Sequence, residues 1–249
     1  MNRTVPALAA LAFAATVAAA DLKVLAGSAL DAPLKVLIPR FEHASGHSIR
    51  LDSDGAIGAM AKRIEKGELA DVLIVSPAQL AALEKHERIV AGSARQVART
   101  GVGLFVRKGA PKPDIGSVEA LTQTLRRAKS IGYNDPGAGA PVGIYLMELF
   151  ERLGIAAEIK PKTVVFKQRS ERFAAVARGD VEIGFNQIAE ILTVPEVDLL
   201  GPLPAPIQRH TLFSAAIVSA SAQPEAAKAF IDFISSSAAA AVMREKGFE

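Results

Sequence analysis

The sequence predicts an α/β fold built in two lobes, and three features carry that expectation. Short β-like runs alternate with amphipathic stretches from Leu22 onward, the pattern of strands linked by helices in largely parallel sheets. Two longer extended segments, Gln96–Val106 and Gln208–Ser219, flank a middle α/β block, as in a chain that leaves one lobe, builds a second and returns. The chain has 249 residues, 50% of them hydrophobic, enough for one large domain or two small lobes. A single-sheet domain would give a similar string of elements, so the division into lobes rests on the two long crossings.

Taken in order, Leu22–Ala26 reads as a first strand. Ser28 to about Glu42 reads as a helix with Ser28 as N-cap and a kink at Pro39. His47–Asp52 is a second strand. Ala56–Lys66 is a helix with Ile57, Met60, Ala61 and Ile64 on one face, stopped by Gly67. Val72–Val75 is a buried strand and Pro77–Lys85 the next helix. After the extended Gln96–Val106 and a basic turn at 107–113, the second series comprises helices Val118–Arg127, Val142–Leu153 and Arg169–Arg178. Its strands are Ile131–Tyr133, Ile159–Val165 and Val181–Phe185. Gln208–Ser219 and the helix Pro224–Ser235 close the chain. The expected division is a leader over 1–20, one lobe over 21–98 plus 207–249, and a second over 99–206.

The leader is read from Arg3, the apolar run Val5–Ala20 and the small-residue end Ala18-Ala19-Ala20 before Asp21. A positive start, a short apolar core and an A-x-A end make a secretory signal, with cleavage expected after Ala20. The alternative, a membrane anchor, asks for about 20 apolar residues, usually richer ones than alanine. There is no cysteine in the chain to carry a lipid anchor or a disulfide. The expected location is therefore free in a periplasm, with stability supplied by the core alone. Lys+Arg exceed Asp+Glu by 29 to 26, and the charge is scattered. With no Trp and two Tyr, an aromatic and basic surface for nucleic acid is not expected.

Several helix starts carry the chemistry. Successive unpaired backbone N–H groups at the positive end of a helix dipole form an anion site, and glycine lets that backbone come close. Ser28-Ala29, Gly55–Gly58 and Pro141–Gly143 are three such starts. Other patterns are weaker. Gly137-x-Gly139-x-x-x-Gly143 lacks dinucleotide spacing and contains Pro141, and no phosphate-loop or G-x-S-x-G motif occurs. His43 and His47 have a metal-ligand spacing, but Gly46 between them points to a solvated helix terminus. No metal and no cofactor are expected.

Leu22 to Leu30 (LKVLAGSAL) resembles the first strand and Ser-headed helix of the molybdate-binding periplasmic proteins. Asp54–Gly67 followed by Ala70-Asp71-Val72 is similar to that family's second ligand loop and next strand, and Pro224–Phe233 to its closing helix. The resemblance spans the mature chain in order. It implies a type II periplasmic binding fold: two α/β lobes, each a mostly parallel sheet flanked by helices, joined by two hinge strands. It further implies an oxyanion held by helix N-termini and hydroxyls. Three departures stand out. Ile57 occupies the place of a family serine. The hinge tyrosine expected after Phe185 is absent, and the segment reads Asn186-Gln187-Ile188-Ala189-Glu190. The loop Asp135–Gly143 is longer than the family's turn.

These departures point to a larger, partly apolar anion such as a small carboxylate. The expected ligand-binding residues are Ser28, Ala29, Ile57, Gly58, Val142, Gly143, Asn186 and Gln187, with Arg63, Arg107 or Arg169 as a bidentate carboxylate partner. Asp54 reads as an N-cap or as a general base, and Glu190 raises the same question. Two functional classes follow. The first is an exported, monomeric binding protein that delivers a small anion to a membrane permease of the ABC type. The second is a cofactor-free isomerase of an unsaturated carboxylic acid, resembling aconitate isomerase, with Asp54, Glu190 or a histidine as base.

Overall fold

In a computed structural model, residues 19–249 are described apart from Ala56 and Gly139, with the side chain of Ala138 also left aside. The expected leader therefore lies outside the described residues except for its last two positions.

The chain opens with β1 (Asp21–Ala26), whose Leu22, Val24, Leu25 and Ala26 are fully buried. A single 3-10 turn over Ser28–Leu30 leads into α1 (Asp31–Ser45), so Ser28 does not cap a helix by its side chain. The helix runs through Pro39 and ends at Gly46, whose φ of +73° is the left-handed stop that glycine adopts without steric cost. Then come β2 (Ser48–Asp52), α2 (Ile57–Glu65), the wholly buried β3 (Val72–Val75) and α3 (Pro77–Lys85). Ser76 and Gln79 close a reciprocal capping box at the start of α3. His47 is buried rather than solvated, and its Nδ1 accepts the Ala20 amide at 3.1 Å.

A long strand, β4 (Arg95–Arg107), leads into α4 (Val118–Arg127), capped by Ser117, then β5 (Ile131–Asn134) and α5 (Pro141–Arg152). Next are the short α6 (Ala156–Ile159), β6 (Thr163–Phe166), α7 (Arg169–Arg178), β7 (Ile183–Gln187) and α8 (Ile188–Ile191). The last elements are β8 (Val197–Pro202), β9 (His210–Ile217), α9 (Pro224–Ile234) and α10 (Ser237–Glu245). The expected strand over Ile159–Val165 is shorter. Ile159 ends α6, and Pro161 lies in a 3-10 turn before Thr163. The sequence reading missed α8, β8 and α10.

The strands run in the order β2-β1-β3-β9-β4-β7-β5-β6, with β8 also on β4. Two parallel trios, β2-β1-β3 and β7-β5-β6, sit at the two ends, and the strands joining them are antiparallel. This is the two-lobed arrangement. β4 is its main connection: residues 95–101 pair with β9, and residues from Val102 onward with β7 and β8. One core gathers Leu22, Val24, Leu34, Phe213 and Phe230; a second gathers Leu104, Leu121, Leu146 and Phe185. The two cores lie toward opposite ends of the sheet, one in each lobe.

Candidate functional site

A cavity of about 630 Å³ opens between the lobes, lined from both sides by the starts of helices and the ends of strands. On the first-lobe side, Ser28 and Ala29 stand at the turn after β1, and Ile57 and Gly58 at the start of α2. The Ser28 amide donates to Gly55 O at 2.9 Å, which ties the two loops together. Gly27 makes room for the substituted side chain: a Cβ built there would lie 2.4 Å from Ile57 Cγ2. Ser76 and Gln79, the capping pair of α3, complete this wall.

The second-lobe side is built from Asn134 at the end of β5, the α5 start with Pro141 and Val142, and Asn186 and Gln187 at the end of β7. Three buried amide atoms here lack a protein partner among the described residues: Asn134 Oδ1, Asn186 Nδ2 and Gln187 Oε1. Gln187 Nε2 donates to Thr211 Oγ1 at 3.1 Å. Unpaired buried polar atoms are costly, and these three belong to residues that line the cavity.

Most expected binding residues thus meet in one place: Ser28, Ala29, Ile57, Gly58, Val142, Asn186 and Gln187 all line the cavity. Gly143 does not. It packs against β5, where an added Cβ would lie 2.1 Å from Asn134 O, so its role is to let α5 approach the strand.

The arginines expected to meet ligand stand elsewhere. Arg63 is spent on Asp52 and Glu68 at 2.6 and 2.7 Å, and Arg107 is exposed at the far end of β4. Arg169 faces Glu190 across 3.8 Å and donates to Thr193 Oγ1 at 2.6 Å. The cavity's own arginine is Arg209, which sequence reading missed along with Asn134, Tyr145 and His210. Its signal was faint, because it sits alone in the extended segment before β9.

Of the candidate bases, Asp54 is exposed and outside the cavity lining, whereas Glu190 lines it and accepts from Ser28 Oγ across the cleft at 3.5 Å. Behind Glu190, on α7, Arg172 is fully buried and its guanidinium has no hydrogen-bond partner among the described residues. Burial pulls Arg172 down from the usual guanidinium range to about 10, a fall opposed by the charge of Glu190 and reinforced by Arg169. Tyr145, Glu148, Arg209 and His210 are the other titratable groups of the lining, and His210 pairs with Glu249 at 3.2 Å.

A two-lobed α/β fold whose helix starts, amides and hydroxyls converge on an interlobe cavity defines a solute-binding protein. Residues 22–249 match the model of the bacterial extracellular solute-binding protein family, and the chain belongs to that family. It is 31% identical to an aconitate isomerase from Pseudomonas sp over 92% of this chain and 87% of that protein. It is 26% identical to the molybdate-binding protein ModA of Azotobacter vinelandii over the whole chain and 97% of that protein. Among solved structures, it superposes on the substrate-binding domain of a putative molybdenum ABC transporter from Clostridium difficile with a TM-score of 0.77. That match is at 19% identity over 93% of this chain and 99% of the other.

Proposed function

We propose that the protein captures a small carboxylate between its lobes, in the periplasm and as a monomer, and presents it to an ABC-type membrane permease. The observation that carries the carboxylate is Ile57. It stands at the α2 start and lines a cavity of about 630 Å³, within the size range of pockets for organic ligands. A compact tetrahedral oxyanion needs converging donors on every side. Here one of those places is apolar, and the remaining donors are spread around a larger space. The lobes we infer are 21–98 plus 207–249 and 99–206. They would close about β4 and the return segment before β9, bringing Ser28, Gly58 and Val142 toward Asn186 and Gln187.

A second reading is kept by a specific observation: Glu190 lines the cleft, and a relative at 31% identity is named an aconitate isomerase. In that reading Glu190 would move a proton between carbons of an unsaturated acid whose carboxylates rest on the donors around it. One experiment addresses both. The mature protein is tested for thermal shift with molybdate, tungstate, phosphate, citrate, succinate and cis- and trans-aconitate, followed by incubation with each stabilising acid. Carboxylate stabilisation without conversion supports capture, and conversion of one aconitate isomer to the other supports the isomerase. Stabilisation by molybdate and tungstate alone refutes the carboxylate assignment.

Export leaves one question to a mass measurement. Ala20 is buried, and its amide and carbonyl bond His47 Nδ1 and the Ser48 amide. Cleavage after Ala20 would remove those contacts; a mature chain starting at Ala20 would keep them.

A further inference from the structure

We propose that Arg209 selects ligands carrying a second carboxylate, an inference that rests on the carboxylate reading of the cleft. Six arginines outside the cavity lining, Arg50, Arg63, Arg99, Arg126, Arg169 and Arg178, each hold a carboxylate of the protein. Arg209 lines the cavity, and its guanidinium has neither an ion pair nor a hydrogen bond among the described residues. It is nonetheless held in place. The guanidinium lies over the Tyr145 ring at 5.7 Å, and Arg152 lies over the same ring at 5.6 Å. Tyr145 is buried and anchored by its hydroxyl, which donates to Ile207 O. The Arg209 backbone is fixed on both sides: its amide donates to Gln208 Oε1 at 2.9 Å, and its carbonyl accepts the Val102 amide at 3.1 Å.

A stacked, backbone-fixed guanidinium with free donors is preorganised for bidentate recognition of a carboxylate. The loops after β1 and β3 and the start of α2, by contrast, offer Ser28, Ser76, Gln79 and backbone amides but no cation. Neutral donors of that kind satisfy one carboxylate end of a ligand. Arg209 answers a second. The acidic lining groups do not consume it: Glu190 faces Arg169 at 3.8 Å, and the exposed Glu148 forms no ion pair within 4.0 Å among the described residues. Because Arg209 lies in the segment returning to β9, a ligand joining it to Ser28 would tie that connecting segment to the helix starts of the first lobe.

The test compares a diacid with its half-amide, which keeps the shape and removes one charge. Calorimetric affinities are measured for succinate, glutarate and adipate, and for the half-amide of whichever binds the wild type most tightly. The wild type should prefer the diacid by about 10- to 100-fold, the worth of a charge-assisted bidentate pair. R209Q should lose that preference through weaker diacid binding alone, and R209K should keep part of it. Because the Arg209 side chain is exposed, an unchanged melting temperature is expected to confirm folding. Equal weakening of diacid and half-amide, or no weakening of either, overturns the inference while leaving the carboxylate reading intact. Failure of the wild type to bind any carboxylate removes both.

Discussion

Arg172 allows a sharp test of how burial and charge balance in this fold. It is fully buried on α7 beside the stacked Phe105 and Phe173 rings, and no protein acceptor reaches its guanidinium among the described residues. Burial lowers its pKa from the usual guanidinium range to about 10. At about 1.4 kcal/mol per unit, the folded state carries roughly 3 kcal/mol of penalty for keeping this charge at neutral pH. The sign follows from proton counting. Above about pH 10 the unfolded chain holds the Arg172 proton while the native chain loses it, so this group makes stability rise with pH there and leaves it flat below. Replacing Arg172 with Met keeps an unbranched, apolar side chain of similar length and removes the charge. The expected gain is about 1–4 kcal/mol in urea unfolding, or roughly 2–4 °C in Tm per kcal/mol for a chain of this size. Glu190 supplies the opposing charge, so E190Q should lower stability in the wild type and have less effect in the R172M background. The reasoning is refuted if R172M loses more than about 1 kcal/mol, because the guanidinium would then be satisfied rather than stranded.

Three further expectations concern other parts of the molecule. Arg63 and Lys23 hold the Glu68 carboxyl down to about 2, so this contribution to stability is present above about pH 5 and lost as pH falls toward 2; R63Q should flatten that part of a Tm-against-pH curve. G143A places a Cβ 2.1 Å from Asn134 O, and the forced separation of α5 from β5 should cost about 1–3 kcal/mol and weaken ligand binding by calorimetry. I57S restores a hydroxyl at the α2 start and should raise the thermal response to molybdate relative to carboxylates, at about 1–2 kcal/mol of lost packing against the cores it touches.

Much of the fold was legible because its signals are local. Val118–Arg127 and Arg169–Arg178 are helices over the residues expected, set by period and, at their ends, by Ser117 and by Gly179 with its φ of +85°. The cluster of Ser28, Gly58, Val142 and Gln187 was legible for a related reason: helix starts are marked in sequence, and the order of a known fold brings them together. Short elements were not. α8 has four residues and too little periodicity to register, and β8 is stabilised by pairing with β4, a partner about 90 positions away.

Sequence alone determined the alternation of strands and helices, the long β4 and β9, and the absence of a hydroxyl at Ile57. Those properties follow from local composition and from side chains that are simply present or missing. Tertiary structure decided which charges meet the cleft. Arg63, Arg107, Arg169 and Arg209 are chemically alike as letters. Only packing shows that Asp52 and Glu68 occupy the first, that the second is exposed on the end of β4, that Glu190 faces the third, and that Tyr145 presents the fourth to the cavity. Arg172 makes the same point from inside the lobe. A charged residue on a helix reads as solvated until neighbouring elements close over it, because burial belongs to the assembled layers and not to the residue.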